Sequence, residues 1–318
     1  MQSADELVLR AVARALGQGR SVWLCTVVQT FGASPRPLGS MLALDDEGDL
    51  TGSLSGGCIE DDLLERLANG QLEQGLPQVV EYGVSPEENE RFGLPCGGRM
   101  GVLVERLDHG FLPAVTDILN GLTSRQGCHR RVSLADGRWQ LLPLGPPETQ
   151  LLHEGEVRQD FGPRFQLLLV GANELARCIA EIALAMDYRV LVTDPRDDRL
   201  RQWPVPAAEI LAGMPDDVVR EHANDRHSIV ITLTHDPRID DMALMEALAQ
   251  PLFYVGALGS SRTSEKRRER LLALDLTESQ LARLHAPVGL DIGSKSAMEI
   301  AVAIMAELTQ LRRRGEVG

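Results

Sequence analysis

Two cysteines in the first third of the chain stand beside paired glycines, in Gly56-Gly57-Cys58 and Cys96-Gly97-Gly98. A thiolate is a good ligand for a soft metal and can take part in sulfur transfer. Paired glycines let the backbone approach a ligand closely and expose amides to an anion. We therefore expect the two cysteines to bind a thiophilic metal and the glycine amides to bind an anion. The alternative for each cysteine is a small, buried packing residue.

A glycine turn of the dinucleotide-binding type follows the apolar run Phe165–Val170. Gly171 occupies the tight turn, but Asn173 replaces the middle glycine that lets the backbone approach a pyrophosphate. Asn tolerates a positive φ, although its side chain fills space that a phosphate would use. Asp194 ends the next predicted strand, where an acid can accept a ribose hydroxyl. These residues predict a nucleotide site, and the alternative is that Asp194 is only a solvated strand end.

Polar residues also follow two later predicted strands. His235 comes directly after one of them, on the carboxyl side where parallel sheets bind ligands. Gly259 and Arg262 belong to the glycine-rich turn Gly256–Thr263, where amides and cations can hold a phosphate. We expect His235, Gly259 and Arg262 to contact a cofactor. The alternatives are a solvated or capping histidine and a solvated basic helix face.

The elements that position the two cysteines read as a small α+β domain. Apolar residues at helical spacing predict a first helix, and runs rich in β-formers predict strands separated by turn residues. Cys58 falls at the start of the second helix, where the helix dipole favours the thiolate form. The predicted elements are a helix over Ser3–Leu16, strands over Ser21–Val28, Met41–Leu44, Leu50–Leu54, Gln78–Tyr82 and Arg99–Arg106, and a helix over Cys58–Ala68.

The second half alternates strands and helices. The stretch Pro143–Pro163 is rich in proline, glycine and charge, so we place the domain boundary there, with domains over residues 1–160 and 161–318. The alternation after it predicts a Rossmann-like, doubly wound parallel sheet. Its elements are strands over Phe165–Val170, Arg189–Thr193, Ser228–Leu233 and Leu252–Gly256, and helices over Glu174–Met186, Pro215–Asn224, Pro237–Leu248 and Ser296–Arg313.

Composition excludes several classes of function. The chain has 318 residues, with 46 acidic and 32 basic side chains and a formal net charge of −14, which argues against a nucleic-acid binder. No apolar run reaches the roughly 18 residues of a membrane-spanning helix, and we expect a cytoplasmic protein without a membrane partner. The 5 cysteines show no C-x-x-C spacing, which predicts a reducing compartment and no structural zinc site.

Six segments together resemble the XdhC/CoxI family, the accessory proteins of xanthine dehydrogenase and related molybdenum hydroxylases. Asn173 departs from the family pattern, as does Glu174, where relatives often carry histidine. Because of these departures, the resemblance does not decide whether the Gly171 turn binds a nucleotide. The segments that carry the resemblance are Phe31–Ser40, Gly52–Glu60, Leu94–Gly98, Tyr254–Thr263, Pro287–Gly293 and Glu299–Ala301.

The resemblance implies a chaperone rather than a turnover enzyme. Such a protein binds molybdenum cofactor, protects its sulfurated form, works beside a cysteine desulfurase and delivers the cofactor to an apo-molybdoenzyme. By this resemblance Cys58 and Cys96 are molybdenum ligands, and a homodimer is expected. Similarity to a subgroup that serves aldehyde oxidoreductases implies the cytosine dinucleotide form of molybdopterin and a nucleotidyltransferase partner. The mono- or dinucleotide state of the cofactor stays open.

Two other functions compete with the chaperone. One is an NAD(P)-dependent oxidoreductase that uses the Rossmann-like half, with His235 or Cys58 as acid or nucleophile. Asn173 predicts weak or absent dinucleotide binding, which argues against this enzyme. The other is a chain whose second domain has lost nucleotide binding and serves only as a docking scaffold.

Overall fold

The computed structural model describes residues 4–32, 36–72, 77–92, 98–145, 150–234 and 236–314. The chain divides into two compact units that separate in sequence between Pro163 and Arg164. Within the described ranges, no helix combines the length and the apolar character that crossing a membrane requires.

The N-terminal unit contains two antiparallel sheets and covering helices. The strands of the first sheet are β1 (Val22–Phe31), β2 (Met41–Asp45), β3 (Leu50–Gly52), β4 (Gln78–Tyr82) and β5 (Arg99–Leu107), in the order β3-β2-β1-β5-β4. Those of the second are β6 (Cys128–Ser133), β7 (Trp139–Leu142), β8 (Leu152–His153) and β9 (Glu156–Phe161), in the order β7-β6-β9-β8. The helices are α1 (Ala4–Gly17), α2 (Cys58–Ala68), α3 (Pro86–Arg91) and α4 (Leu112–Thr123).

Strand β1 is the centre of the first sheet, because it pairs with both β2 and β5. Its side chains point alternately to the two faces of the sheet. Cys25 and Val27 pack with the apolar face of α2, whereas Val22 and Leu24 pack with α1 and α4. Both faces are covered, which explains why the strand is apolar without alternation. The same packing fixes the start of α2, and with it Cys58, against the sheet.

The second sheet is an element that the sequence did not predict. Strand β9 lies inside Pro143–Pro163, the stretch in which the sequence analysis places the domain boundary, and the two units separate at the end of that stretch. Burial along β9 alternates residue by residue, and the buried positions are Val157, Gln159 and Phe161. One of the three is polar, which hides the period-2 pattern from a reading of hydrophobicity alone.

A buried arginine joins the two sheets of this unit. Arg130 on β6 is 0% exposed and pairs with Glu105 of β5, with 3.1 Å between Nη1 and Oε2. Arg130 also donates to Gln159 of β9 at 2.7 Å and lies over the ring of Trp139 at 4.4 Å. The indole Nε1 of Trp139 donates to Glu105 at 2.7 Å. A buried charge must be paired in this way because leaving it unpaired costs several kcal/mol.

The C-terminal unit contains one parallel sheet with helices on both faces. Its strands are β10 (Gln166–Val170), β11 (Arg189–Thr193), β12 (Glu209–Leu211), β13 (Ser228–Thr232), β14 (Tyr254–Ala257) and β15 (Leu284–His285), in the order β12-β11-β10-β13-β14-β15. Its helices are α5 (Glu174–Ala185), α6 (Asp197–Arg201), α7 (Pro215–His222), α8 (Pro237–Ala249), α9 (Ser261–Ala273), α10 (Glu278–Leu281) and α11 (Ala297–Arg314).

This strand order confirms the predicted Rossmann-like fold. Every residue of β10 is buried. Leu167 and Leu169 face the core formed with α5 and α11, while Leu168 and Val170 face the core formed with α7 and α8. The order of the strands reverses between β10 and β13, which is where a sheet of this kind opens a ligand crevice.

We expect Arg130→Met to lower the free energy of unfolding of the N-terminal unit by about 3–5 kcal/mol, because it leaves Glu105 buried without its charge partner. The control is Arg138→Met, since the Arg138 side chain is 86% exposed and its ion pair with Asp136 is solvated. Denaturant unfolding of the full chain, followed by tryptophan fluorescence, measures both variants. If the two variants lost equal amounts of unfolding free energy, the buried pair of Arg130 and Glu105 would not be what joins the two sheets.

Candidate functional site

A single carboxylate organises the loop between β3 and α2. The Glu60 loop, residues Ser53–Gly57, curls around the side chain of Glu60 in the first turn of α2. Oε1 of Glu60 accepts the amides of Leu54, Ser55 and Gly56 at 2.9, 2.7 and 2.8 Å, and Oε2 accepts the amide of Gly57 at 3.0 Å. The hydroxyls of Ser53 and Ser55 also donate to this carboxylate.

These contacts correct the expectation for two of the glycines. The sequence predicts that the amides of Gly56 and Gly57 bind a cofactor anion, but both already donate to Glu60. Burial alone would raise the pKa of Glu60, yet the hydrogen bonds from Ser55, Gly56 and Gly57 outweigh it and hold the pKa well below its usual range. The loop therefore carries its own anion, and its amides serve to fix the backbone.

Cys58 is the exposed first residue of α2. Gly56 adopts a φ of +94°, a conformation that favours glycine, and it turns the chain into the helix. An added Cβ at Gly56 or Gly57 would meet nothing within 4 Å, so open space adjoins the Cys58 backbone on this side. The result is an accessible thiol on a loop whose shape is fixed by Glu60.

The segment with the second cysteine falls partly outside the described residues, and these include Cys96 and Gly97. Its flanks are described. Before it, Arg91 at the end of α3 donates to Asp62, one turn along α2 from Cys58, at 3.0 Å. After it, Gly98 lies beside Gly32, whose added Cβ would be 3.6 Å from the Gly98 Cα. The end of α3 therefore lies next to the first turns of α2.

The other described cysteines fit the packing interpretation. Cys25 and Cys178 are buried, and Cys128 is half-buried. Burial, with a smaller effect of the Glu105 charge, raises the pKa of the Cys25 thiol far above its usual range. Burial likewise raises the pKa of Cys128 to about 11. Neither thiol ionises readily near neutral pH, which leaves Cys58 as the accessible candidate among the described cysteines.

In the C-terminal unit, the glycine turn after β10 is closed by side chains. Gly171 has a φ of +114°, and an added Cβ would lie 3.0 Å from Cγ2 of Thr234. Asn173 is extended, with a φ of −132°, so the turn does not use the tolerance of asparagine for a positive φ. Its Oδ1 accepts the amide of Ala176 at 3.0 Å, and its Nδ2 donates to the carbonyl of Leu233 at 2.8 Å. Asn173 therefore caps α5 and ties the turn across the crevice to the end of β13.

The carboxylate of Asp194 also has hydrogen-bond donors from within the protein. The residue is 1% exposed and accepts the amide of Ala172 at 3.0 Å and two donors of the Arg196 guanidinium at 2.8 and 2.7 Å. Burial would raise the pKa of Asp194, but the bonds from Arg196 and Ala172 lower it below its usual range. This arrangement differs from the expected ribose acceptor. The sequence signal that was missed is Asp194-Pro195-Arg196, a turn in which the aspartate caps its own backbone.

His235 lies outside the described residues, and its neighbours have structural roles. Thr234 donates through Oγ1 to Asp240 at 2.7 Å. Asp236 caps α8 by accepting the amide of Arg238 at 3.0 Å, and it pairs with the Arg238 guanidinium. These contacts fix the start of α8 beside the carboxyl end of β13.

Gly259 and Arg262 come together at a cavity of about 570 Å³ between the starts of α8 and α9, which we call the α8–α9 cavity. Buried Arg267 and Asp240 also line it, and the sequence did not single out this pair. Arg267 Nη2 donates to Asp240 at 3.1 Å, and Nη1 donates to the carbonyl of Leu258 at 3.1 Å. Burial raises the pKa of Asp240 to about 6, although bonds from Thr234 and the charge of Arg267 act against it.

Two family matches cover different parts of the chain. Residues 15–83 match the XdhC and CoxI family, and residues 167–308 match the XdhC Rossmann domain. The first range includes the Glu60 loop and Cys58. The second includes the Gly171 turn and the α8–α9 cavity. These matches confirm the resemblance that the sequence motifs indicated.

Relatives match nearly the whole chain. The molybdenum cofactor insertion chaperone PaoD of Escherichia coli (strain K12) is 28% identical over 318 residues, covering 97% of this chain and 89% of that protein. A probable xanthine dehydrogenase subunit from Bacillus subtilis (strain 168) is 26% identical over 315 residues, covering 92% of this chain and 93% of that protein. A crystal structure of a xanthine dehydrogenase from Bacillus halodurans, 24% identical, has the same fold, with a TM-score of 0.76 and coverage of 97% and 96%.

We expect Glu60→Gln to lower the free energy of unfolding by about 2–4 kcal/mol at pH 7, because an amide cannot accept this many donors and places its own NH₂ among them. A carboxylate with a lowered pKa contributes stability above its unfolded-state pKa of about 4.3 and loses it at lower pH. The difference in unfolding free energy between the parent and the variant should therefore narrow by about 1 kcal/mol when the pH is lowered from 7 to 3.5.

The control for this variant is Glu65→Gln on the exposed face of the same helix, with an expected change within about 0.5 kcal/mol. Denaturant unfolding at the two pH values measures all three proteins. A difference that stays constant with pH would mean that the Glu60 charge does not hold the loop.

We expect Asn173→Gly to restore the glycine of the dinucleotide fingerprint without creating a dinucleotide site, because Asp194 stays paired with Arg196. The variant loses the bond to Leu233 and a side-chain cap, at a cost of about 1–2 kcal/mol in unfolding free energy. Titration with NADH, followed by its fluorescence, should show no binding tighter than about 1 mM for parent or variant. Micromolar binding by the variant would restore the oxidoreductase interpretation.

Proposed function

We propose that the chain is a member of the XdhC and CoxI family, and that it is a chaperone that binds molybdenum cofactor and inserts it into a molybdoenzyme of the xanthine dehydrogenase class. Two family models support this assignment, one matching residues 15–83 and the other residues 167–308. Both relatives support this role by name, one as a molybdenum cofactor insertion chaperone and the other as part of a xanthine dehydrogenase. In this proposal the cofactor is cargo, and the chain holds it without turning it over.

The observation that carries the proposal is the exposed Cys58 thiol at the start of α2, directly after the Glu60 loop. Molybdenum is thiophilic, so a thiolate is a suitable ligand for the metal centre. A thiol binds such a centre well only if its position does not fluctuate, and the bonds to Glu60 fix the backbone that carries it. We assign Cys58 as one ligand and, from the family resemblance, Cys96 as the second.

The proposal extends to the state of the cargo and the partners. The family resemblance implies the sulfurated cofactor as cargo and a cysteine desulfurase as partner, and we include both in the proposal. The family resemblance adds the cytosine dinucleotide form, a nucleotidyltransferase and a homodimeric assembly. The client is an apo-molybdoenzyme of the xanthine dehydrogenase and aldehyde oxidase class.

The oxidoreductase alternative has less support. A dinucleotide needs a free amide turn for its pyrophosphate and a free acid for its ribose. Here the Ala172 amide and the Asp194 carboxylate bind each other, and Arg196 occupies the remaining acceptor positions. A dinucleotide would have to displace these contacts before it could bind at this turn.

Cofactor retention tests the proposal. The purified full-length chain is mixed with molybdenum cofactor, separated from free ligand and assayed for bound molybdenum and pterin. We expect Cys58→Ser to lower retention at least fivefold and the Cys58→Ser, Cys96→Ser double variant to lower it further, since a hydroxyl is a poor ligand for a soft metal. The parent should also restore activity to a cofactor-free client enzyme, and the double variant should not.

The matched control is Cys128→Ser, which removes a half-buried thiol of the same unit. It should retain cofactor like the parent. Equal retention by the parent and the double variant would refute the thiolate ligands. Failure of the folded parent to retain any cofactor would refute the chaperone.

A further inference from the structure

The helix starts at the carboxyl edge of the parallel sheet differ in what their amides already bind. At α5, Asn173 and Asp194 take the amides of Ala176 and Ala172, and Glu174 adds an acid to the first turn. At α9 the first turn has no acidic residue, and Ser260 takes only the amide of Thr263. The dipole of the 13-residue helix α9 is therefore not opposed by an internal anion at its start.

Two basic side chains lie near the start of α9. Arg262 and Lys266 are exposed, stand one helical turn apart and line the α8–α9 cavity. Among the described residues, no carboxylate forms an ion pair with either of them. Arg270, a turn further, is instead paired with Asp241 at 2.6 Å. In a chain with a net charge of −14, two uncompensated cations at one cavity are a local reversal of sign.

A buried donor in the cavity wall is unsatisfied. Arg267 is 3% exposed, and its two terminal nitrogens are held by Asp240 and Leu258. Its Nε has no hydrogen-bond partner among the described residues, although Oδ1 of Asp241 lies 3.9 Å away. Buried polar groups nearly always have partners, so an unpaired donor in the wall of a cavity points to an acceptor that comes from outside the protein.

Glycine keeps the mouth of this cavity open. An added Cβ at Gly259 would lie 3.3 Å from the Cβ of Thr263 and 3.5 Å from Nη1 of Arg267. The backbone of Gly259 has no positive φ that would demand glycine, so the missing side chain serves to leave space. The volume of about 570 Å³ is in the range of small-molecule sites and exceeds the needs of a lone phosphate.

We propose that the α8–α9 cavity binds the phosphate or diphosphate group of the cofactor that the chain carries, through Arg262, Lys266 and the amides at the start of α9. The inference rests on the proposed function for the identity of the ligand, since a free nucleotide or inorganic pyrophosphate presents the same chemistry. In this proposal the anion site lies at the turn after β14, whereas a dinucleotide-binding Rossmann fold has it at the turn that corresponds to the one after β10.

The first test uses pyrophosphate as the probe. Calorimetric titration of the full-length chain should show binding that weakens as salt rises, because both charges are screened. The Arg262→Gln, Lys266→Gln double variant should bind at least tenfold more weakly. The control is the Arg199→Gln, Arg201→Gln double variant on α6, which changes the net charge equally and should bind like the parent. No binding by the parent, or equal loss in both double variants, would overturn the site.

A second test separates this inference from the proposed function. Molybdenum and pterin retention is measured on the parent and on the same Arg262→Gln, Lys266→Gln variant, and we expect the variant to retain at least fivefold less. If the parent retains cofactor and the variant retains as much, the phosphate site is wrong while the chaperone stands. If the parent binds pyrophosphate but no cofactor, the chaperone is wrong, and the cavity binds free nucleotide or phosphate instead.

Discussion

Backbone amides at the start of a helix have no acceptor within the helix, and the way each glycine-rich turn satisfies them decides what this protein can bind. Glu60 takes the amides before α2, while Asp194 and Asn173 take those at the start of α5. At both places an internal acceptor occupies the position that a ligand anion would take. At α9 the corresponding position is left to Arg262, Lys266 and whatever anion they attract. Each of the three turns contains glycine, yet they differ in that the first turn of α9, unlike those of α2 and α5, carries no acidic residue.

At the Glu60 loop, the hydrogen bonds between the backbone amides and the Glu60 carboxylate have a structural role. A loop of five residues with two consecutive glycines would lose its shape easily, because glycine has more conformational freedom than any other residue. A single carboxylate that collects four amides and two hydroxyls removes that freedom without covering the neighbouring thiol. The glycines then leave space, the glutamate fixes the backbone, and Cys58 stays exposed. This arrangement gives a structural role to the glutamate two residues after the cysteine.

How much the sequence could predict differs between fold and site. The continuous apolar run of β10 identified the parallel sheet, because burial on both faces erases the alternation of an ordinary strand. The sequence analysis did not predict strand β9, because Gln159 occupies a buried position and bonds to Arg130, a partner that only the folded sheet supplies. At the site, glycine and cysteine positions were readable, but the acceptors of their amides were not. Asp194 had a signal in the turn Asp194-Pro195-Arg196, but whether Glu60 faces solvent or turns back on its own loop depends on the path of the folded chain, which composition does not encode.

The same hydrogen bonds decide between a chaperone and a dehydrogenase. To place a dinucleotide at the turn after β10, the protein would have to release the bond from Ala172 to Asp194, free Asp194 from Arg196 and detach Asn173 from Leu233. Each lost bond of this kind costs about 1–3 kcal/mol when a buried group is left unsatisfied, so the sum removes several orders of magnitude from the affinity. Binding of a metal at Cys58, or of an anion at Arg262, would require none of these changes. The fold keeps the Rossmann topology, while internal acceptors occupy the turn at which a dinucleotide would bind.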